Sequence, residues 1–416
     1  MGHKTVRMNA FLNAKTSFKK LQFGPAKCFV MNVGKNIEEH KKIELYVDGW
    51  KMEEVKACKT GVKTTNETSA THEIFDGEQE ITETSHEKYL GQIISSDATN
   101  ARNISDRAAR GTGMSKKIIE MLNHVPGGKF HFEIAMIFRN AYIISTMLSS
   151  SEAWYNVSKE DVKKLEKVDE IYLKGVVQCS NQVKTELIYL ELGVMPIRYI
   201  LVLRRIMYLQ EILKQKHENT LMYRFFKAQL DNPKRGDWAT QTLKDLKEME
   251  IKMDLDSIEQ ETTEKFKEIA KAAVKNKALN DLNKLKLSTE HRRKNFSQME
   301  HKELKMANYL SENEMQLTVE DRNWIFKCKT CDIDVKANRT WKYTNLKCHI
   351  CEIGEDETQS HTLTCKTLME LNNRVTYIPN YNDIYRNDLD DIVYLCNILQ
   401  ENMRIREEII AKERPA

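Results

Sequence analysis

Glycine and proline are scarce in this chain of 416 residues, at 15 and 6. So few breakers leave little room for a sheet built on many tight turns, for a collagen-like repeat, or for a long disordered tract, and they favour helices. No run reaches about 18 uncharged apolar residues, and the N-terminus carries no apolar core of the signal-peptide type, so neither membrane insertion nor secretion is expected. A charge excess is also missing. Lys+Arg of 65 against Asp+Glu of 61 leaves a net +4, so any surface for a polyanion must come from local clustering. The nine cysteines are unevenly placed, six of them in the last quarter. That is not the layout of a secreted disulfide framework. It points to thiols in a reducing, intracellular compartment, nuclear or cytoplasmic, available to bind metal.

Several stretches carry recognisable local structure. Ile43 to Val47 followed by Asp48-Gly49 has the alternation and turn of a hairpin arm, and Thr60 to Thr84, with no apolar face, reads as a mobile loop. Gly24-Pro25 marks a turn before the strand-like Cys28-Phe29-Val30-Met31. Tyr89 to Ile94 reads as one short strand with a kink or a close backbone approach at Gly91. Helical spacing then runs from Ile104 to Leu122, interrupted at Gly111 and Gly113, until Val125-Pro126-Gly127-Gly128 ends it. Phe132–Met147 is almost continuously apolar and reads as a buried helix whose strongly polar sites are Glu133, Arg139 and Asn140. Ser158 is placed as an N-cap, with Asp161 three residues on and Val157 and Val162 as a hydrophobic staple. Leu187–Leu192 leads through Gly193 and Pro196 into the apolar helix Ile197–Leu213, where Arg198 and Arg205 lie seven apart on one face. Beyond the Asp231-Asn232-Pro233 break, Trp238, Leu243, Leu246 and Met249 form a small amphipathic pattern. Between Lys271 and Lys305 there are ten Lys/Arg against four Asp/Glu, including Arg292-Arg293-Lys294, the clearest basic cluster of the chain.

The most specific chemistry lies near the C-terminus. Cys348-x2-Cys351-x9-His361-x3-Cys365 offers three thiols and an imidazole within eighteen residues. A tight knuckle can present the first pair and a helical turn the second, which is a zinc pattern. A rival pairs Cys328-x2-Cys331 with Cys348-x2-Cys351 as a four-cysteine ribbon. That choice strands His361 and Cys365, so the first set is preferred and Cys328 and Cys331 are expected to be packed thiols. Asp388-Leu389-Asp390-Asp391 is the only tempting acidic run. It precedes Ile392, Val393, Leu395, Ile398 and Leu399 at helical spacing and reads as a helix start rather than a two-metal site.

Glu87-Lys88-Tyr89-Leu90-Gly91, Ile104-Ser105-Asp106-Arg107, Ser151-Glu152-Ala153-Trp154 and Val162–Asp169 together resemble the end of the palm and the thumb of reverse transcriptases from non-LTR (LINE-type) retrotransposons. Glu357-Thr358-Gln359-Ser360-His361 with Cys365 is similar to the zinc knuckle that follows the thumb in these polymerases. The resemblance implies an α+β, predominantly α-helical fold: a small β remnant of a palm with a flexible acidic insert over 1–96, a helical thumb-like domain over 97–215, a charged helical connector over 216–320, and a zinc-knuckle module over 321–416. The catalytic half is expected before Met1, since RNA-directed DNA synthesis needs metal-binding aspartates, with Mg2+, that this stretch does not supply. Lys27 falls on the lysine of the family's motif D. Arg198 and Arg205 would face a primer–template duplex, and Arg292, Arg293 and Lys294 would touch nucleic acid. Pairing of the two helix arginines with carboxylates such as Glu191 or Glu211 is the alternative. The implied partners are an RNA template or RNA–DNA duplex and target DNA, and the implied cofactor of this chain is a structural Zn2+. A second class, a non-catalytic zinc-containing module for nucleic acid or protein, fits the same residues.

Overall fold

The computed structural model describes residues 46–47, 50–51, 85–89, 91–124, 132–287, 301–311, 317–340, 342–351, 353–372, 380–385 and 388–413. Lys27, the Gly24-Pro25 turn with the strand after it, the loop over 60–84, the helix stop at 125–128, and the Arg292-Arg293-Lys294 cluster lie outside these residues. The fold is α+β and predominantly helical, as expected, and the strands among the described residues form two antiparallel hairpins.

The chain divides into two compact units, one of Met1–Asp106 with Tyr155–Ser158, the other of Arg107–Trp154 with Lys159–Ala416. The first holds β1 (Tyr46–Val47) paired with β2 (Trp50–Lys51), the hairpin expected around Asp48-Gly49. It also holds β3 (His86–Tyr89) paired with β4 (Gln92–Ser95). The single kinked strand expected over Tyr89–Ile94 is therefore a hairpin turn: Gly91 has φ +81°, a left-handed conformation that reverses the chain rather than bending it. The start of α1 (Ala101–Asn123) caps this hairpin. Asn103 accepts from the Ile93 N–H at 3.1 Å and donates to Gln92 Oε1 at 2.7 Å.

In the larger unit α1 runs unbroken through Gly111 and Gly113, against the expected interruption. The reason is packing: a Cβ on Gly111 would stand 2.7 Å from Met147 Cγ and 3.1 Å from Val168, so this glycine serves close helix approach. The apolar run after it is α2 (Phe132–Phe138), a π-helical turn over Arg139–Ile144, and α3 (Ser145–Leu148). It is not wholly buried, because Ile134, Ile137 and Tyr142 face outward. Arg139 is buried and meets Asp169 of α4 (Lys159–Val176) as a fork, Nε and Nη2 each donating at 2.7 Å. Its Nη2 also reaches the Met195 carbonyl at 3.0 Å, and Tyr189 of α5 (Thr185–Leu192) donates to Asp169 at 3.0 Å. One ion pair thus fixes three segments. Removing either member would strand a buried charge, at a cost of about 3–5 kcal/mol.

Helices on both sides of the boundary expected at 215/216 share a core. Helix α6 (Ile197–Lys214) shares one core with α7 (Leu221–Asp231), α8 (Trp238–Glu248), α9 (Leu255–Gln260) and α10 (Thr263–Leu287) through Ile206, Leu209, Phe226, Trp238, Ile258, Phe266 and Val274. The connector is packed onto the helices expected to form the thumb, and Trp238 even donates to the Glu152 carbonyl at 2.7 Å.

The 320/321 division is bridged as well, by Glu191 at the end of α5. Its carboxylate is fully buried and receives Tyr309 Oη at 2.6 Å, Lys329 Nζ at 3.1 Å and His301 Nε2 at 3.2 Å. Lys329 belongs to α11 (Val319–Lys329), whose start is closed by a Thr318/Asp321 capping box. Gly193, with φ +63°, ends α5 where the segment 301–311 crosses: a Cβ there would stand 2.2 Å from backbone atoms of Lys305 and Met306. Burial by itself would raise the Glu191 carboxyl, but Lys329 and the hydrogen bonds from His301 and Tyr309 outweigh it and hold the group at about 2. A pKa lower in the folded chain than the unfolded ~4.3 means the stabilisation is full above that value and is lost as pH falls through about 2. Glu191→Gln should therefore cost about 3 kcal/mol at pH 7, with the gap to the parent narrowing as pH falls from about 4.5 toward 2. Urea midpoints across that range check it; a pH-independent gap would remove the carboxylate's charge from the explanation.

Candidate metal centre

The knuckle is assembled by short backbone contacts around a hairpin-like bend. Lys347 and Asp356 form an isolated antiparallel bridge, the Cys348 N–H donates to the Glu355 carbonyl at 2.8 Å, and the Glu357 N–H donates to the Leu346 carbonyl at 2.8 Å. These hold Cys348 and Cys351 on one side. Thr358 then caps α12 (Gln359–Thr364), its hydroxyl accepting from the His361 N–H at 2.9 Å, which sets His361 in the first helical turn. Cys365 follows at the junction with α13 (Lys366–Leu371). The ligand atoms of Cys348, Cys351, His361 and Cys365 all lie within 4.8 Å of one another and all four residues are buried. The sequence placed these four together, and the structure brings them together.

The geometry suits a tetrahedral ion. With metal–sulfur and metal–nitrogen bonds of about 2.3 and 2.0 Å, ligand atoms at tetrahedral edges stand roughly 3.5–3.8 Å apart. Cys351 Sγ and His361 Nε2 are 3.3 Å apart, close to that edge. The other imidazole nitrogen, Nδ1, faces Glu355 Oε2 at 2.8 Å. A carboxylate there fixes the ring and leaves Nε2 as the free lone pair, the usual support for a metal-ligating histidine. Among thiols alone, burial pushes the Cys365 thiol up to about 12, with Cys348 and Cys351 adding to it against a hydrogen bond from the Leu368 N–H. A bound divalent cation reverses that balance, since it favours thiolate. The cluster can therefore hold a zinc ion.

The apolar support around the cluster is thin. Among the described residues, besides the three cysteines, it consists of Leu368 and, from the long C-terminal helix α14 (Leu389–Glu413), Ile405, with Ile350 and Ile409 at its edge. Polar clamps supply the remaining anchorage. Arg406 of α14 donates to Glu357 Oε1 at 2.6 and 3.0 Å in a buried pair, and Asn402 donates to the Thr362 carbonyl at 2.8 Å.

Cys328 and Cys331 stand apart from this cluster, as expected. Cys328 is buried beside Cys396, Gln359 donates to its carbonyl at 3.0 Å, and Cys331 Sγ lies 3.9 Å from Tyr385 Oη. Asp388 opens α14 by accepting from the Asp390 and Asp391 N–H groups at 3.1 and 3.3 Å, so this acidic run is a helix start. Of the two helix arginines, Arg205 requires a correction. It is buried and paired with Asp245 of α8, because the connector folds back over α6, and it offers no charge to a phosphate. Arg198 is partly exposed, 4.0 Å from Glu166 and over the Tyr199 ring at 5.1 Å. The carboxylates they meet are neither Glu191 nor Glu211. Sequence reasoning missed Glu355 and the Glu357–Arg406 pair. A carboxylate six residues before the ligand histidine was the available signal for the first; the second depends on a fold-back that no local pattern encodes.

No protein-family model matches this chain, and no characterised protein or solved structure matches it either. No helix among the described residues is long and apolar enough to cross a membrane.

One zinc per chain is expected. Cys351→Ser or His361→Ala should abolish it, Glu355→Gln should weaken it about 10-fold or more, and Cys328→Ser or Cys331→Ser should leave it in place. Metal analysis of the purified variants decides: zinc lost with Cys328 and Cys331 but kept without His361 and Cys365 would replace this site by a four-cysteine ribbon.

Proposed function

We propose that this chain is a C-terminal portion of a reverse transcriptase of the non-LTR retrotransposon kind, contributing a grip on RNA or an RNA–DNA duplex through a helical thumb and a zinc-stabilised knuckle. The observation that carries the reading is the Cys3His cluster, whose His361 ends the Glu357-Thr358-Gln359-Ser360-His361 stretch, with Cys365 following it, that resembles the family's knuckle. The predominantly helical body is compatible with it. In this reading the zinc is structural: with four protein ligands the coordination is closed, leaving no position for a reacting water. Metal binding would supply folding free energy to a segment with little apolar support of its own. Within these 416 residues the only adjacent aspartate pair, Asp390-Asp391, starts a helix rather than sitting on the hairpin turn that a two-metal site uses.

A second reading, a non-catalytic zinc-containing module for nucleic acid or protein, draws on the same assembled cluster. Nucleic-acid binding and nucleotide addition, measured side by side on the same preparation, separate the two from an enzyme. The purified chain should extend no primer on a primed RNA template with Mg2+ or Mn2+. Heat-sensitive, metal-dependent extension absent from a mock preparation would overturn this.

The chain should bind an RNA–DNA duplex without sequence preference and with affinity falling steeply as salt rises, because phosphate contacts release counterions. Changing Arg292, Arg293 and Lys294 together to Glu should reduce the salt slope by about one for each phosphate that is no longer neutralised. Unchanged binding by the folded triple variant would make that cluster a solvated face.

A further inference from the structure

The described cysteines differ in how readily their sulfur can react. Burial, with Asp332 adding to it, pushes the Cys179 thiol up to about 12. Burial together with a hydrogen bond to Cys396 raises Cys328 well above the usual thiol range. Both keep their protons at neutral pH, and a protonated thiol is a poor nucleophile. The Cys3His cluster is the opposite case when it holds its metal, because a zinc-ligating cysteine is a thiolate. Its ligand atoms lie within 4.8 Å of one another. Their cover is one-sided. Leu368 and Ile405 pack against the cysteines. Away from them, the Glu355 side chain that holds the His361 ring is 63% exposed, and Ile353 is 59% exposed. Cys348 and Cys351 each keep 6% exposure, Cys365 none. The cluster thus lies one side chain below the surface, within reach of a molecule as small as hydrogen peroxide.

The three sulfurs are not equivalent partners for one another. Cys351 hydrogen-bonds the Cys365 sulfur, whereas Cys348 acts on it through charge. Cys348 and Cys351 also belong to the same bend, the one closed by the Lys347–Asp356 bridge, while Cys365 stands at the junction of α12 and α13. A disulfide between Cys348 and Cys351 would stay inside the bend and leave α12 untied from it. A disulfide between Cys351 and Cys365 would join the two parts that the metal joins. It requires the sulfurs to close to about 2.05 Å, and Cys351, on a bend rather than in a helix, is the one free to move.

We propose that the knuckle is a peroxide-sensitive switch in which Cys351 and Cys365 exchange their shared metal for a disulfide, leaving the knuckle closed but metal-free. The Cys351 thiolate attacks one peroxide oxygen, the O–O bond breaks, and hydroxide departs from a sulfenic acid. The Cys365 thiolate attacks that sulfur, the S–S bond forms, the S–O bond breaks, and a second hydroxide departs. The two sulfurs together give up two electrons, each hydroxide takes a proton from solvent, and the peroxide ends as two waters. The site has then lost two of its four ligands and releases its ion. A thiol reductant with fresh zinc reverses the change. The inference rests on the zinc reading of this cluster and adds a regulation to it.

Treating the zinc-loaded full chain with hydrogen peroxide tests it, with a chromogenic chelator reading zinc release and mass spectrometry of alkylated peptides reading disulfides. Release of the zinc together with a Cys351–Cys365 disulfide is expected, reversed by dithiothreitol and zinc, with Cys179 and Cys328 recovered as free thiols. Limited proteolysis is the second readout. The oxidised chain should resist cleavage between 346 and 365 as the zinc-loaded chain does, while the reduced chain stripped by a chelator is cut there. Zinc retained under peroxide, or released with no disulfide, overturns the switch and leaves the metal centre standing. A Cys348–Cys351 disulfide, or an oxidised chain cut as readily as the stripped one, overturns it equally. A parent chain that takes up no zinc removes the metal reading and the switch together.

Discussion

Among the described residues, four buried carboxylates that join distant parts of this fold each have a buried cation as partner. Asp169 has Arg139, Asp245 has Arg205, Glu191 has Lys329, and Glu357 has Arg406. A lone buried charge is costly, whereas a paired and hydrogen-bonded one is tolerated. Such pairs therefore add little net stability but make alternative packings expensive. Because their members come from different elements, they dictate which segments meet: the π-helical turn after α2 with α4, α6 with α8, α5 with α11, and the knuckle with α14. The architecture follows from where these charges can be neutralised together.

The Cys3His cluster obeys the same constraint with one difference. Three thiols and an imidazole converge in a buried space where thiolate would be unfavourable, and the positive charge that would balance them is a metal ion instead of a side chain. Its surroundings are consistent with that role. Glu355 orients His361, while the Glu357–Arg406 pair ties the knuckle to α14 through an element the metal does not touch. The ion and the ion pair act on neighbouring residues of one short segment, so loss of either should loosen the knuckle more than the helical body beneath it.

What could be read from the sequence was local. The Gly193 stop, the Asp231-Asn232 break, the Asp48-Gly49 hairpin, the helix-start role of Asp388 and the four metal ligands all follow from spacing and capping chemistry. Long-range relations could not be read this way. The fold-back of α8 over α6 turned Arg205 from an expected phosphate contact into a buried partner of Asp245, and residues on both sides of 215/216 share one core. Gly111 looked like a helix break because glycine lowers helix propensity, whereas its actual role is to admit Met147 and Val168. The Tyr89–Ile94 run has the composition of a strand, and only the left-handed Gly91 shows that it turns.

The central claim is that one ion is held by three sulfurs and one nitrogen. Zinc X-ray absorption spectroscopy on the purified chain tests this most directly, because it counts ligand types without perturbing the fold. A coordination shell of three sulfurs at about 2.3 Å and one nitrogen at about 2.0 Å is expected, with the multiple-scattering pattern of a single imidazole. A four-sulfur shell without imidazole scattering would contradict the account and place Cys328 and Cys331 among the ligands.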